Sequence, residues 1–130
     1  MKLFKTVKEI KSKKGVLHFK RFAIVESDLF SIYLHYFTQP DNDPWEHDHP
    51  WDFFVFILKG GYKEQTNNVV HTRNPGFMRF IKAEHRHKIL ELNKKSSTSL
   101  AICGRRRREW GYHTDNGWVS QIEYRENKNK

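Results

Sequence analysis

Residues 45–52 read Trp45-Glu46-His47-Asp48-His49-Pro50-Trp51-Asp52, and residues 84–87 read Glu84-His85-Arg86-His87. The first stretch packs two imidazoles, three carboxylates and two indoles into a short run. If it is extended, successive side chains alternate between faces, so His47 and His49 share one face. Two neutral imidazoles at that spacing can share one divalent metal, for which imidazole suits zinc, iron, copper and nickel. The second stretch repeats the His-x-His spacing about 38 residues later and supplies a third ligand, His87 or His85. His87 is the better placed, because the apolar pattern resumes directly after it at Lys88-Ile89-Leu90.

Outward from these segments the chain reads as short strands separated by turns. Runs rich in β-branched and aromatic residues occupy 15–25, 29–37, 53–58, 77–81, 88–92, 99–103 and 118–124. Asp41 to Pro44, Gly60-Gly61 and Asn74-Pro75-Gly76 are dense in turn formers. Residues 62–64 and 68–72 pair as a further hairpin, and His113 to Gly117 is a turn by composition. No segment longer than about ten residues holds a 3.6-residue apolar period, so helix is confined to a short piece near a terminus. This pattern predicts an all-β sandwich or closed barrel. The chain of 130 residues fits one domain, expected over 1–125 with a disordered tail at 126–130.

Composition narrows the function classes. Aromatic residues make up 15% of the chain, enough large flat side chains to fill a barrel interior. The single cysteine, Cys103, excludes an intramolecular disulfide and a cysteine-based zinc cluster, and points to a cytoplasmic setting. No run approaches the roughly 18 apolar residues of a membrane span. A formal charge of +9 favours a small anionic or phosphorylated ligand. Much of that charge lies in turns and at the tail, at Lys11, Lys13, Lys14, Lys94, Lys95, Lys128 and Lys130. Basic and aromatic residues interleave only over 105–112, which disfavours polymeric nucleic acid as a partner.

The two histidine segments together resemble the motifs of the cupin superfamily, which read roughly G-x5-HxH-x3-4-E-x6-G and G-x5-PxG-x2-H-x3-N. His47-Asp48-His49 matches the first His-x-His, residues 53–58 the strand after it and Gly60 its closing glycine. Pro75-Gly76, the strand 77–81 and His87 match the second motif. The resemblance implies a double-stranded β-helix, or jelly-roll barrel, with His47, His49 and His87 as metal ligands. It also implies a homodimer, often with an N-terminal strand traded across the interface. The chain departs from the pattern at the glutamate, whose place is taken by Phe53, and at the asparagine. Asp52 stands one residue out of step and reaches the metal only if Pro50 bulges the strand. Otherwise the site has three histidines. Iron(II) is the first expectation for the metal, with zinc, manganese and nickel open.

Around this site, Arg79, His85, Arg106, Arg108 and Trp110 are expected to hold an anionic substrate, and Tyr112 and His113 are candidate acid and base. Alternate arginines of 105–108 would line the barrel mouth and take phosphate or carboxylate bidentately. Trp110 and Tyr112 would share a face at period two. Three functions fit these residues: a metal-dependent oxygenase or isomerase; a non-catalytic protein that captures a nucleotide or nucleotide sugar; and a metal-free sugar-nucleotide epimerase using His47 or His113 as base with a tyrosine as acid.

Overall fold

The computed structural model describes residues 1–41 and 43–128. Twelve strands and one helix follow in order: β1 Lys2–Lys11, β2 Leu17–Glu26, β3 Ser31–Phe37, β4 Glu46–His47, β5 Phe53–Lys59, β6 Tyr62–Thr66, β7 Val69–Arg73, β8 Met78–Ile81, β9 Lys88–Leu92, β10 Ser97–Cys103, β11 Gly111–Thr114, β12 Gly117–Ser120 and α1 Gln121–Lys128. Every strand pairing is antiparallel. A six-stranded sheet runs β1-β2-β3-β10-β5-β8, and two three-stranded sheets run β7-β6-β9 and β12-β11-β4. An antiparallel bridge between His47 and His87 joins the two smaller sheets.

Alternation decides which side chains face inward. On β5, Phe53, Val55 and Ile57 are buried while Phe54 and Phe56 are only partly covered. Cross-strand partners share a face. Ala23, Tyr33, Ala101 and Val55 therefore form one inner row across β2, β3, β10 and β5, which Arg79 extends onto β8. One core cluster gathers Ala23, Tyr33, Phe53, Val55, Ile81, Ala101 and Cys103. A second, of Ile57, Tyr62 and Ile89, closes the other end.

The turns form where the sequence places them. Gly60 and Gly61, both with positive φ, reverse the chain between β5 and β6. A Cβ on Gly60 would stand 2.1 Å from the Ser96 carbonyl oxygen, so only glycine fits there. Asn67 and Asn68 take positive φ at the β6–β7 hairpin, the conformation of a tight primed turn. Of the turn expected over 41–44, residue 42 lies outside the described residues.

Two expectations are corrected. The strand expected over 118–124 ends at Ser120, whose hydroxyl accepts the Glu123 N–H and caps α1. The helix takes in residues 126–128 of the expected tail; residues 129 and 130 lie outside the described residues. The lysine-rich N-terminus, which carries no strand signal of its own, forms β1. Its burial is confined to Thr6 and Val7, and its lysines guard an exposed sheet edge.

Candidate metal centre

The His-x-His segment alternates roles as well as faces. Glu46 and Asp48 are buried on one side and hold the surroundings in place, while His47 and His49 turn to the other. Glu46 accepts hydrogen bonds from the backbone N–H groups of Asn67 and Asn68 and from Gln65, and forms a salt bridge with Arg86 at 3.1 Å. Burial pushes its carboxyl pKa up, but these donors outweigh it and hold the group below its ordinary value. Asp48 accepts from Gly111 N at 2.8 Å, Trp118 Nε1 at 2.8 Å and His113 Nε2 at 3.0 Å, and pairs with Arg108 at 3.0 Å. The segment is thus clamped from β6–β7 on one flank and from β11–β12 on the other.

His47 and His87 exchange backbone hydrogen bonds at 2.8 and 2.9 Å, and His49 N donates to Ala83 O at 2.9 Å. These bonds bring the three rings together. One ligating atom from each of His47, His49 and His87 lies within 4.8 Å of the other two. The Nε2 atoms of His49 and His87 are 3.1 Å apart. Two nitrogens each about 2.1 Å from one metal and roughly at right angles would be about 3.0 Å apart, so this pair has the spacing of adjacent ligands.

The donor chemistry also fits. Burial, with the neighbouring histidines, drives the His49 pKa well below its ordinary value, and burial brings His47 down to about 4. Both imidazoles are neutral near pH 7, the form that binds a metal. His87 Nδ1 meets Glu64 Oε2 at 2.5 Å, and Glu64 also accepts from Arg73 Nε at 3.0 Å. Burial opposes ionisation of Glu64, yet the hydrogen bonds from His87 and Arg73 hold its pKa at about 2. An ionised carboxylate only accepts, so Nδ1 of His87 donates to Glu64 and Nε2 is the ring nitrogen left to face the other two histidines. Sequence reasoning missed Glu64, which stands in β6 outside both histidine segments.

The other expected residues divide. Trp110 and Tyr112 flank His47, with ring centroids 6.0 and 6.3 Å from it and 5.6 Å from each other. The His85 ring lies 6.3 Å from that of His87, and its buried Nε2 has no hydrogen-bond partner among the described residues. Arg79 is exposed on the inner face of β8, opposite Val55, and its charge helps lower the His85 pKa after burial itself.

Asp52 does not join the histidines. It accepts from Ala83 N at 2.8 Å and Arg107 Nη2 at 2.8 Å, because the chain alternates at this point and sends Phe53, not Asp52, against His49 at 4.6 Å. His113, expected as a base, is turned by β11 to the face opposite Tyr112 and is bound to Asp48. Arg108 donates to His49 O and pairs with Asp48, while Arg106 meets Glu109 in solvent. Residues 104–110 form no strand, so the expected alternation of arginines at a barrel mouth is absent.

No family model and no curated protein matches the sequence. Solved structures do match. The polyketide cyclase RemF from Streptomyces resistomycificus superposes with a TM-score of 0.64 at 16% identity, covering 96% of this chain and 87% of that one. A cupin superfamily protein from Desulfitobacterium hafniense gives 0.56 at 18% identity over 76% of this chain and 84% of its own. The FeII form of HppE gives 0.59 at 13% identity over 74% of this chain and 55% of its own. The chain has the cupin double-stranded β-helix fold, with three histidines placed to hold a metal.

Proposed function

We propose that this protein is a metal-dependent cupin enzyme of the oxygenase or isomerase kind, acting on a small anionic metabolite at His47, His49 and His87. The observation that carries the reading is the convergence of three imidazoles, one of them oriented by Glu64. Three protein ligands leave coordination positions for water or substrate, the arrangement of a catalytic rather than a structural site. Iron(II) is the first choice of metal, supported by the FeII structure of HppE, with zinc, manganese and nickel as the alternatives to assay. When bound, such a metal supplies Lewis-acid polarisation or activates a ligand in its open position.

The chain's own residues then have separable roles. Glu64 keeps the proton on His87 Nδ1 and so directs Nε2 inward. Trp110 and Tyr112 wall the site beside His47, and a flat substrate stacks against them. His85 and Arg79 stand on the His87 side, where an unpartnered imidazole nitrogen and an exposed guanidinium meet polar substrate groups. A non-catalytic nucleotide binder relying on Arg106 and Arg108 has less support, since the first pairs with Glu109 and the second with Asp48. A metal-free epimerase using His113 is weakened in the same way by the hydrogen bond to Asp48.

Elemental analysis of protein purified without chelator or affinity metal tests the proposal. Near-stoichiometric metal in the wild type, lost in a His47→Ala/His49→Ala double variant, is the expected result. A folded wild type that stays metal-free after anaerobic incubation with iron, zinc, manganese and nickel would overturn it.

A further inference from the structure

The inner face of the six-stranded sheet carries a second polar group, away from the three histidines. Arg21 on β2 and His35 on β3 are cross-strand partners, two residues along the strands from the core pair Ala23–Tyr33, so both point into the barrel. Arg21 Nε donates to His35 Nε2 at 3.0 Å. The guanidinium carbon lies 4.8 Å from the Tyr33 ring centroid, 5.8 Å from Phe19 and 5.9 Å from Trp51. Trp51 packs against the core cluster that contains Phe53, whose ring lies 4.6 Å from that of His49, so this cluster and the histidine site share one interior.

What the cluster lacks is an anion. Among the described residues no carboxylate forms a salt bridge with Arg21; Glu26, whose charge acts on it, is held by the Tyr33 hydroxyl and Lys2. His35 accepts from a cation, so it is neutral at that nitrogen and brings no compensating charge. Lys8, the β1 partner of Arg21, adds a second positive charge without a salt bridge of its own. Neither Nη atom of Arg21 donates to a described residue, and neither is sealed from solvent. A guanidinium drawn into an aromatic box with its fork unpaired forfeits hydration without recovering an ion pair, a cost of several kcal/mol in the limit of full burial. Stacking on rings returns about 0.5–2 kcal/mol of this, and a bidentate anion would return more.

We infer that Arg21 is the anchor for a carboxylate on the substrate of the three-histidine centre, taking its two oxygens through the open guanidinium fork. The inference rests on the function proposed above and names the substrate class. A guanidinium edge offers two parallel N–H groups, the number that a carboxylate accepts. The flanking N–H groups of β2 and β3 are committed to the sheet ladder, so no array of backbone donors serves the further oxygens of a phosphate. Tyr33, Phe19 and Trp51 add apolar walls suited to the carbon skeleton that bears the carboxylate. Nothing in sequence singled out Arg21, because a lone arginine in Phe19-Lys20-Arg21-Phe22 reads as one of many basic surface residues.

The test uses the full chain as isolated, with metal content measured on each sample. Benzoate and inorganic phosphate are titrated separately while the NMR signals of Arg21 Nε–H and the Trp51 indole N–H are followed. Benzoate is expected to move both signals, and Arg21→Gln to weaken binding tenfold or more, about the loss of one charge-assisted hydrogen-bonded pair. Arg21→Lys, which keeps the charge without the fork, should fall between. Metal content should be unchanged in both variants. Benzoate that saturates without moving the Arg21 signal, equal binding by wild type and variant, or tighter binding of phosphate at Arg21 would each overturn the inference. If Arg21→Gln fails to fold, the signals of the wild type decide. Benzoate bound at Arg21 in protein that takes up no metal would support the carboxylate site while removing the metal function; metal bound with no response at Arg21 would do the reverse.

Discussion

At the scale of single residues, the candidate metal centre depends on charges set behind its three imidazoles. Glu64 orients the His87 ring, so Glu64→Gln should raise the metal dissociation constant of the folded protein about 10–100-fold, measured by competition with a chelator of known affinity. Loss of no more than twofold would mean that His87 is oriented by its backbone pairing with His47 alone. A second prediction concerns His35. Burial first, and then the charges of Arg21 and Lys8, hold its pKa well below 6.5. The unfolded chain therefore takes up a proton below pH 6.5 that folded His35 refuses. Stability from this residue is complete above the unfolded pKa and falls as pH drops through it. In urea unfolding series from about pH 7.5 to about pH 5, His35→Gln should reduce the slope of stability against pH by up to about 1.4 kcal/mol per pH unit. An unchanged slope would show that His35 is protonated in the folded state. The three candidate ligands were legible in the sequence because His-x-His beside a strand is a local pattern, repeated at 85–87. Glu64 and Arg21 were not, since each acquires its meaning from a neighbour on another strand.

Elements show the same division between local and distant information. Glycines at 60, 61 and 76 and the asparagines at 67 and 68 set turns through their own conformational preferences, and the strands between them were readable to within a few residues. The segment 104–112 was not. Its arginines look like a basic strand, but Asp48, about 60 positions earlier, gathers Arg108, Gly111, His113 and Trp118 and so dictates where the β11–β12 hairpin docks. Asp48→Asn removes the charge from this buried hub and leaves Arg108 without its partner. A loss of about 3–5 kcal/mol is expected, the range for breaking a buried ion pair from one side, seen as a fall in the denaturant midpoint. Because Asp48 sits between His47 and His49, the same variant should weaken metal binding; stability lost with affinity intact would mean that the hairpin docks independently of the ligands. Gly60→Ala offers a control far from the charges. It should destabilise through backbone strain and the clash with Ser96 O, without altering metal affinity in the protein that remains folded.

The whole molecule poses a question that neither scale answers. The inner face of the six-stranded sheet lines the barrel, yet its outer face is also apolar. Phe22, Leu34, Leu100, Phe56 and Met78 are paired in one unbroken row across five strands, and Ile32, Ile102, Phe54 and Phe80 in the next. Met78, Phe80 and Ile102 are 55%, 58% and 41% exposed. A monomer seldom leaves a continuous apolar sheet face of this extent in water. Two copies related by a two-fold axis would cover it with one self-complementary contact, since such an interface needs the same patch from each partner. The homodimer that the motif resemblance implied is therefore proposed to form through this face. Light scattering after gel filtration should give twice the chain mass. Phe80→Glu/Ile102→Glu, which places like charges on both sides of the axis, should give the chain mass while keeping bound metal, as both side chains point away from His47, His49 and His87. A wild type that is monomeric at micromolar concentration would discard the dimer, and a variant that remains dimeric would move the interface to another face.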